Sequence, residues 1–114
     1  MVNSILNSVK YYLGLTPEYD PFDQQLLMCI NTALNAMTQL GIGPKTGFTI
    51  RDDTATWDEF LGSDVRMEAV KTAVCIRVRL LFDPPANGTL TETLEAQKNE
   101  IEWRLNSDIN FPED

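Results

Sequence analysis

The 114-residue chain contains no histidine, only two cysteines, and nine basic side chains against seventeen acidic ones. Without histidine there is no side chain that ordinarily exchanges a proton near neutral pH, which removes Ser–His and Cys–His nucleophile pairs. Cys29 and Cys75 stand far apart inside helical patterns. They read as two reduced core thiols of a cytosolic protein, not as a disulfide framework or a metal knuckle. The shortage of positive charge leaves a formal net charge of −8 with its lysines and arginines scattered. A protein that grips DNA by counterion release needs a basic face, so the balance argues against tight nucleic-acid binding. It leaves room for DNA that slides past without sticking. No apolar run approaches the roughly 20 residues of a membrane span. The opening "MVNSILNSVKYYLG" interrupts its apolar part with polar residues and reads as no signal peptide.

Glycine-rich phosphate loops are missing as well. Asp52-Asp53, Asp58-Glu59 and Glu92 with Glu95 are the carboxylate pairs available for acid–base work or for holding a cation. Pairs of this kind in loops and on helix surfaces are ordinarily solvated. "DDTATWDEF" lacks the glycine and spacing of a calcium-binding loop. Asn87-Gly88-Thr89 matches a glycosylation sequon but serves as turn chemistry. The sequence therefore predicts no catalytic residues, no cofactor and no metal.

What is present is helical patterning over a length suited to one domain. The first helix is expected over 3–13, with Ile5, Val9, Tyr12 and Leu13 on one side and Gly14 ending it. The second is expected from Asp20 as N-cap through Pro21 to Leu40, with a stripe including Phe22, Leu26, Ile30 and Met37. A glycine-rich loop follows over 41–56, long enough to suggest a function of its own. In it, Phe48 and Ile50 are expected to be mobile apolar anchors for a neighbouring molecule. Thr56 and Glu59 frame a capping box over a helical turn. The third long helix is expected from Ser63 or Asp64, with Val70, Ala73, Val74, Val78, Leu80 and Leu81 on one face. Its end is the hard stop "LLFDPPANG", where Asp83 and Pro84 cannot continue a helix. Thr89 and Glu92 suggest a second capping box, opening a last helix to about Asn106 with Leu90, Leu94, Ile101 and Leu105 in its stripe.

The fold class is thus all-α: a small bundle of about four helices plus a short helical turn, closed by an antiparallel C-terminal hairpin. Residues 1–106 form the domain and 107–114 a flexible tail. Level pairing across the hinge sets Leu81 against Leu90 and Arg77 against Leu94. Arg77 falls inside its helix's apolar arc, a costly place for a charge without a carboxylate. Glu95 is the nearest candidate for a structural ion pair; the alternative is an Arg77 that snorkels to water.

The far face of the second helix carries Gln24, Met28, Asn31, Thr32, Asn35, Thr38 and Gln39, and Asp23 is the only charge between Phe22 and Leu40. Free helix faces are usually charged, so Gln24, Met28, Asn31, Asn35 and Gln39 are candidates for a subunit interface. Trp103 lies opposite Leu94 beside Ala96 and Asn99. It is either a second interface residue or a core residue under the first helix. In the tail, Ile109 and Phe111 are spaced as on one side of a strand, suited to docking, although chain ends also simply fray.

"YYLGL", "DPFDQQLLMCINTALNAMTQLGIGP", "TWDEFL", "VKTAVCIRVRLLFDPP" and "LEAQKNEIEWRLN" together resemble the small head–tail connector (head-completion) proteins of long-tailed bacteriophages. The resemblance runs through nearly the whole chain, and "RVRLLFDPP" and "EWRLN" are its most distinctive pieces. It implies a structural virion protein, not an enzyme, that forms a ring of about a dozen copies beneath the portal protein. Such a ring extends the DNA channel, holds no specific DNA sequence, and meets the next neck or tail-completion protein. It implies assembly in the host cytoplasm and a final place at the head–tail junction, with no membrane partner. A small acidic helical adaptor that binds one protein through a groove would have the same composition.

Overall fold

Ser4 starts the first helix: its Oγ accepts the Asn7 N–H at 3.2 Å, and Gly14 ends the helix at φ 85°. In the computed structural model, which describes residues 3–62, 64 and 66–110 and side chains to 106, five helices follow in order. They are α1 (Ile5–Leu13), α2 (Asp23–Gln39), α3 (Trp57–Leu61), α4 (Met67–Phe82) and α5 (Gly88–Asn110). The fold is all-α. Its only strand-like pairing among the described residues is one bridge between Ser4 and Thr56.

Three helix starts differ from expectation for local reasons. Residues 20–23 close a turn through Asp23 N–H to Asp20 O, 3.2 Å, so α2 begins at Asp23 and not behind an Asp20 cap. The Asp64 carboxylate takes both the backbone N–H and the guanidinium of Arg66, which holds a turn ahead of α4. At α5 the cap is Asn87, whose Oδ1 accepts from Thr89 N at 2.8 Å and Leu90 N at 3.3 Å. The box expected at Thr89 is therefore replaced by the stronger capping residue two places earlier. The Thr56–Glu59 capping box is present in full.

The centre of the molecule is α4. It packs against α2 and α5 as its two main partners and against α1 and α3 more lightly. Val70, Ala73, Val74, Cys75, Ile76 and Val78 are all buried. Opposite them α2 contributes Leu26, Ile30, Ala33, Leu34 and Met37, as its stripe predicts. Trp57 of α3 is fully buried and its Nε1 donates to Ser8 Oγ at 2.9 Å, which pins α3 onto α1.

Some expected core residues are not core. Leu81 is 55% exposed and Leu90 43%, so the level pairing at the hinge does not form. Tyr12 is exposed while Lys10 is buried at 1%. The buried arc of α1 is centred on Val9 and Leu13, which leaves Tyr12 beyond one edge and brings Lys10 inside the other. Lys10 Nζ donates to Pro17 O at 3.1 Å and lies 2.6 Å from Asp23 Oδ1, an ion-pair contact whose angle is off hydrogen-bond geometry.

The 41–56 loop is tied to the chain's own core. Ile42 and Ile50 are buried, and Phe48 packs half-buried at 5.3 Å between ring centroids from Phe60. Gly43 has φ +83°, and a Cβ there would lie 2.5 Å from Phe60 Cε1, so only glycine lets the loop close over that ring. The strongest tether is Asn31 of α2. Its Nδ2 donates to Ile50 O at 3.1 Å and its Oδ1 accepts the Ile50 N–H at 2.8 Å. One amide thereby satisfies both backbone groups of a residue that has no helix or sheet to do so. Phe48 and Ile50 are thus anchored to the chain's own core, Ile50 fully and Phe48 in part. Removing the clamp leaves Ile50 with two unmet backbone groups. We expect Asn31→Ala to cost about 1–3 kcal/mol in urea unfolding and to speed amide exchange at Ile50 selectively.

Candidate functional site

The candidate interface residues divide once placed. Gln24, Met28, Asn35 and Gln39 are exposed along α2, with Met28 at 72%. Asn31 is half-buried and engaged with Ile50, so it belongs to the loop clamp and not to the exposed face. Trp103 stands 69% exposed on α5, away from the core and not under α1. Ile109 and Phe111 fall outside the described side chains. The backbone of α5 continues helical to Asn110, four residues past the expected end. The helix-breaking proline is Pro112, so nothing before Phe111 is barred from the α region.

Arg77 does meet a carboxylate, and it is Glu102. The guanidinium grips Glu102 through two bonds, Nη2 to Oε1 at 2.7 Å and Nε to Oε2. Glu95 is exposed, and the expected pair with it does not form. Glu95 and Glu102 share a side of α5, two helical turns apart, so the correction is one of register along the axis. Glu102 is 9% exposed. A bidentate pair in that setting fixes angle as well as charge, and it locks α5 against α4 with Trp103 turned outward.

Where α2 begins and α4 ends, the surface opens into two adjoining cavities of about 400 and 350 Å³ that share Gln25 and Phe82. The first is lined also by Leu13, Leu15, Phe22 and Asp83. The second adds Met28, Cys29 and Leu81. Phe22 meets Phe82 edge-on at 5.5 Å and Tyr19 at 5.9 Å, which makes an aromatic lip. The sequence had marked Phe22 and Leu81 for the core; here they form a trough.

Several carboxylates outside the Arg77–Glu102 pair serve the backbone. Hydrogen bonds from the Thr54 hydroxyl and N–H hold the Asp52 carboxyl below its usual range, and Arg66 does the same for Asp64. Glu59 accepts the Thr56 N–H. These carboxylates shape turns and caps. Among the described residues no group of three or more His, Cys, Asp or Glu gathers as a metal site.

The family model for phage connector proteins matches residues 5–110. The chain belongs to the phage connector protein family. Neither a curated protein nor a solved structure matches it. The connector family is structural, and its members are virion components. For a connector, the informative features are therefore the exposed faces and what holds them in position. No helix among the described residues is long and apolar enough to cross a membrane.

Two measurements check this geometry. Arg77→Ala strands the Glu102 carboxylate in a nearly dry site and should cost about 3 kcal/mol, whereas Glu95→Ala, on the exposed side, should cost under about 0.5 kcal/mol. Equal costs would mean that α5 sits in the other register. The second uses the thiols. Burial raises Cys29 and pushes Cys75 up to about 12 from an ordinary 9.0. The stability carried by a neutral Cys75 is complete below the unfolded value and is lost as pH rises from 9.0 toward about 12. A maleimide at mildly alkaline pH should label Cys29, at the trough wall, and leave Cys75 unlabelled until the protein unfolds. Mass mapping of the two sites reads this directly.

Proposed function

We propose that this connector forms a ring of about a dozen subunits beneath the portal protein, extends the DNA channel, and presents its far side to the next neck or tail-completion protein. The family match over 5–110 carries the reading. The exposed, uncharged side of α2 and the exposed Trp103 support it, because a ring needs two different complementary faces on each subunit. Gln24, Met28, Asn35 and Gln39 supply one face and Trp103 belongs to the other. The net charge of −8 supports the channel role. An acidic subunit repeated around a hole repels phosphate, so DNA passes through without being held. Ile109 and Phe111, two bulky apolar residues beyond the apolar stripe of α5, are the segment we assign to docking on the portal. Assembly then takes place in the host cytoplasm, and the finished ring lies at the head–tail junction.

The test mixes the purified chain with its portal protein and reads the product by native mass spectrometry and negative-stain microscopy. The expected result is a closed ring of many copies stacked coaxially on the portal. A single copy bound per partner, or no binding, would overturn the ring in favour of a small adaptor. Deleting residues 108–114 should weaken attachment to the portal while leaving thermal unfolding of the subunit unchanged.

A further inference from the structure

The trough at the α2–α4 junction and the exposed indole on α5 are each unexplained by the chain's own packing. The trough walls include Met28 and Leu81, 72% and 55% exposed, beside Phe22 at 38%. Its two cavities fall at the lower end of the range of roughly 300–1,000 Å³ typical of ligand-sized pockets. Apolar area of this kind is ordinarily covered by a partner.

Charge says which partner. The chain carries −8, so two copies repel over most of their surface. From Gln24 to Pro44, however, there is no charged residue, and this stretch supplies Gln25, Met28 and Cys29 to the trough. On α5, Ala96, Asn99 and Trp103 make a short uncharged strip at helical spacing, bordered by Glu92 and Glu100. These are the surfaces on which two acidic copies approach with least repulsion. The trough's one charged wall residue is Asp83. Next to Trp103 stands Arg104, 71% exposed and held only by an exposed pair with Glu100. An arginine able to exchange its exposed Glu100 partner for Asp83 therefore stands beside the knob.

We propose that Trp103 of one copy seats in the α2–α4 trough of the next copy, with Arg104 turned toward Asp83 at its rim. The occupant of the trough is thus a second copy of this chain. This deepens the ring reading and rests on it. Because knob and trough are different surfaces, the contact is head-to-tail, the kind that closes into a ring when the rotation allows. The trough is filled by a tryptophan, which is enriched at interface centres and disfavours being left wet.

Cys29 lies in the trough wall and reports its occupancy. Maleimide labelling of Cys29 is measured in the free subunit and in the portal-bound assembly. Trp103→Ala, Met28→Glu, and the exchange Asp83→Arg with Arg104→Asp are measured alongside for self-association. We expect Cys29 to be protected in the assembly and both single variants to associate roughly thirty-fold more weakly, with unchanged circular dichroism and melting. Arg104→Asp alone should weaken association and the double exchange restore it. If rings form while Cys29 labels at the free rate, or while Trp103→Ala assembles at the wild-type concentration, the trough contact is overturned and the connector reading stands. If no self-association occurs even with the portal, both fall.

Discussion

The Glu102 carboxylate is buried on the inner side of α5, where a charge is costly without a partner, and its bidentate grip by Arg77 of α4 organises the hairpin. The helix is packed on two sides, which leaves Arg77 part-buried and its partner carboxylate on α5 nearly fully buried. Glu102 answers it from α5 with two parallel bonds. Hydrophobic ridges alone let antiparallel helices slide by a turn at modest cost, because one leucine replaces another. A bidentate pair has no such degeneracy: one turn of slip separates both charges. The register of α5 is therefore an electrostatic matter, and the direction in which Trp103 points is its consequence.

The same logic recurs on a smaller scale wherever the backbone leaves helices. Asn31 meets both backbone groups of Ile50, Asn87 caps α5, and the Asp64 carboxylate shapes the turn before α4. Lys10 reaches Pro17 O and Asp23, which draws the connection between α1 and α2 against the bundle and places Phe22 at the lip of the trough. Each polar group replaces water at a point where no regular ladder is available. The irregular third of the molecule is thus held by specific side chains, while the helices are held by burial.

This division explains what could be read in advance. Apolar spacing with caps located the four longer helices and most of the core, and the Thr56–Glu59 capping box located α3, since stripe and cap are properties of a single segment. Val70, Ala73, Val74, Val78, Leu26, Ile30 and Met37 are buried where the pattern placed them. Register between segments is not a local property. Glu95 and Glu102 share one side of α5, so periodicity could select the side but not the turn. The loop was misjudged for a related reason. Three glycines and a proline over 41–56 suggest freedom, but the amide that removes it sits on α2, nineteen residues from Ile50. Lys10 was missed because a lysine one step beyond an apolar arc resembles a solvated one. The signal was available in hindsight only as a carboxylate and a free carbonyl close by in the chain, at Asp23 and Pro17.

For an acidic connector the consequence of this architecture is a subunit with a heterogeneous surface. Charge is spread over the α4–α5 hairpin and the 51–59 region, whereas the exposed side of α2 carries none. Bringing many such subunits together at one place accumulates negative charge, and the repulsion grows with the number of copies. In the proposed ring, contacts form where charge is lowest and recover their energy from apolar cover, which is the chemistry of the exposed Met28, Leu81, Phe22 and Trp103. Strong self-association in free solution is not required of such a design. A few uncharged, apolar contacts per subunit give weak pairs, and a template that holds neighbours at fixed spacing raises their effective concentration enough for those contacts to close. In the proposed ring a weak isolated pair is useful: acidic subunits stay apart until a platform orders them, and the surfaces that join them carry little charge to oppose that step.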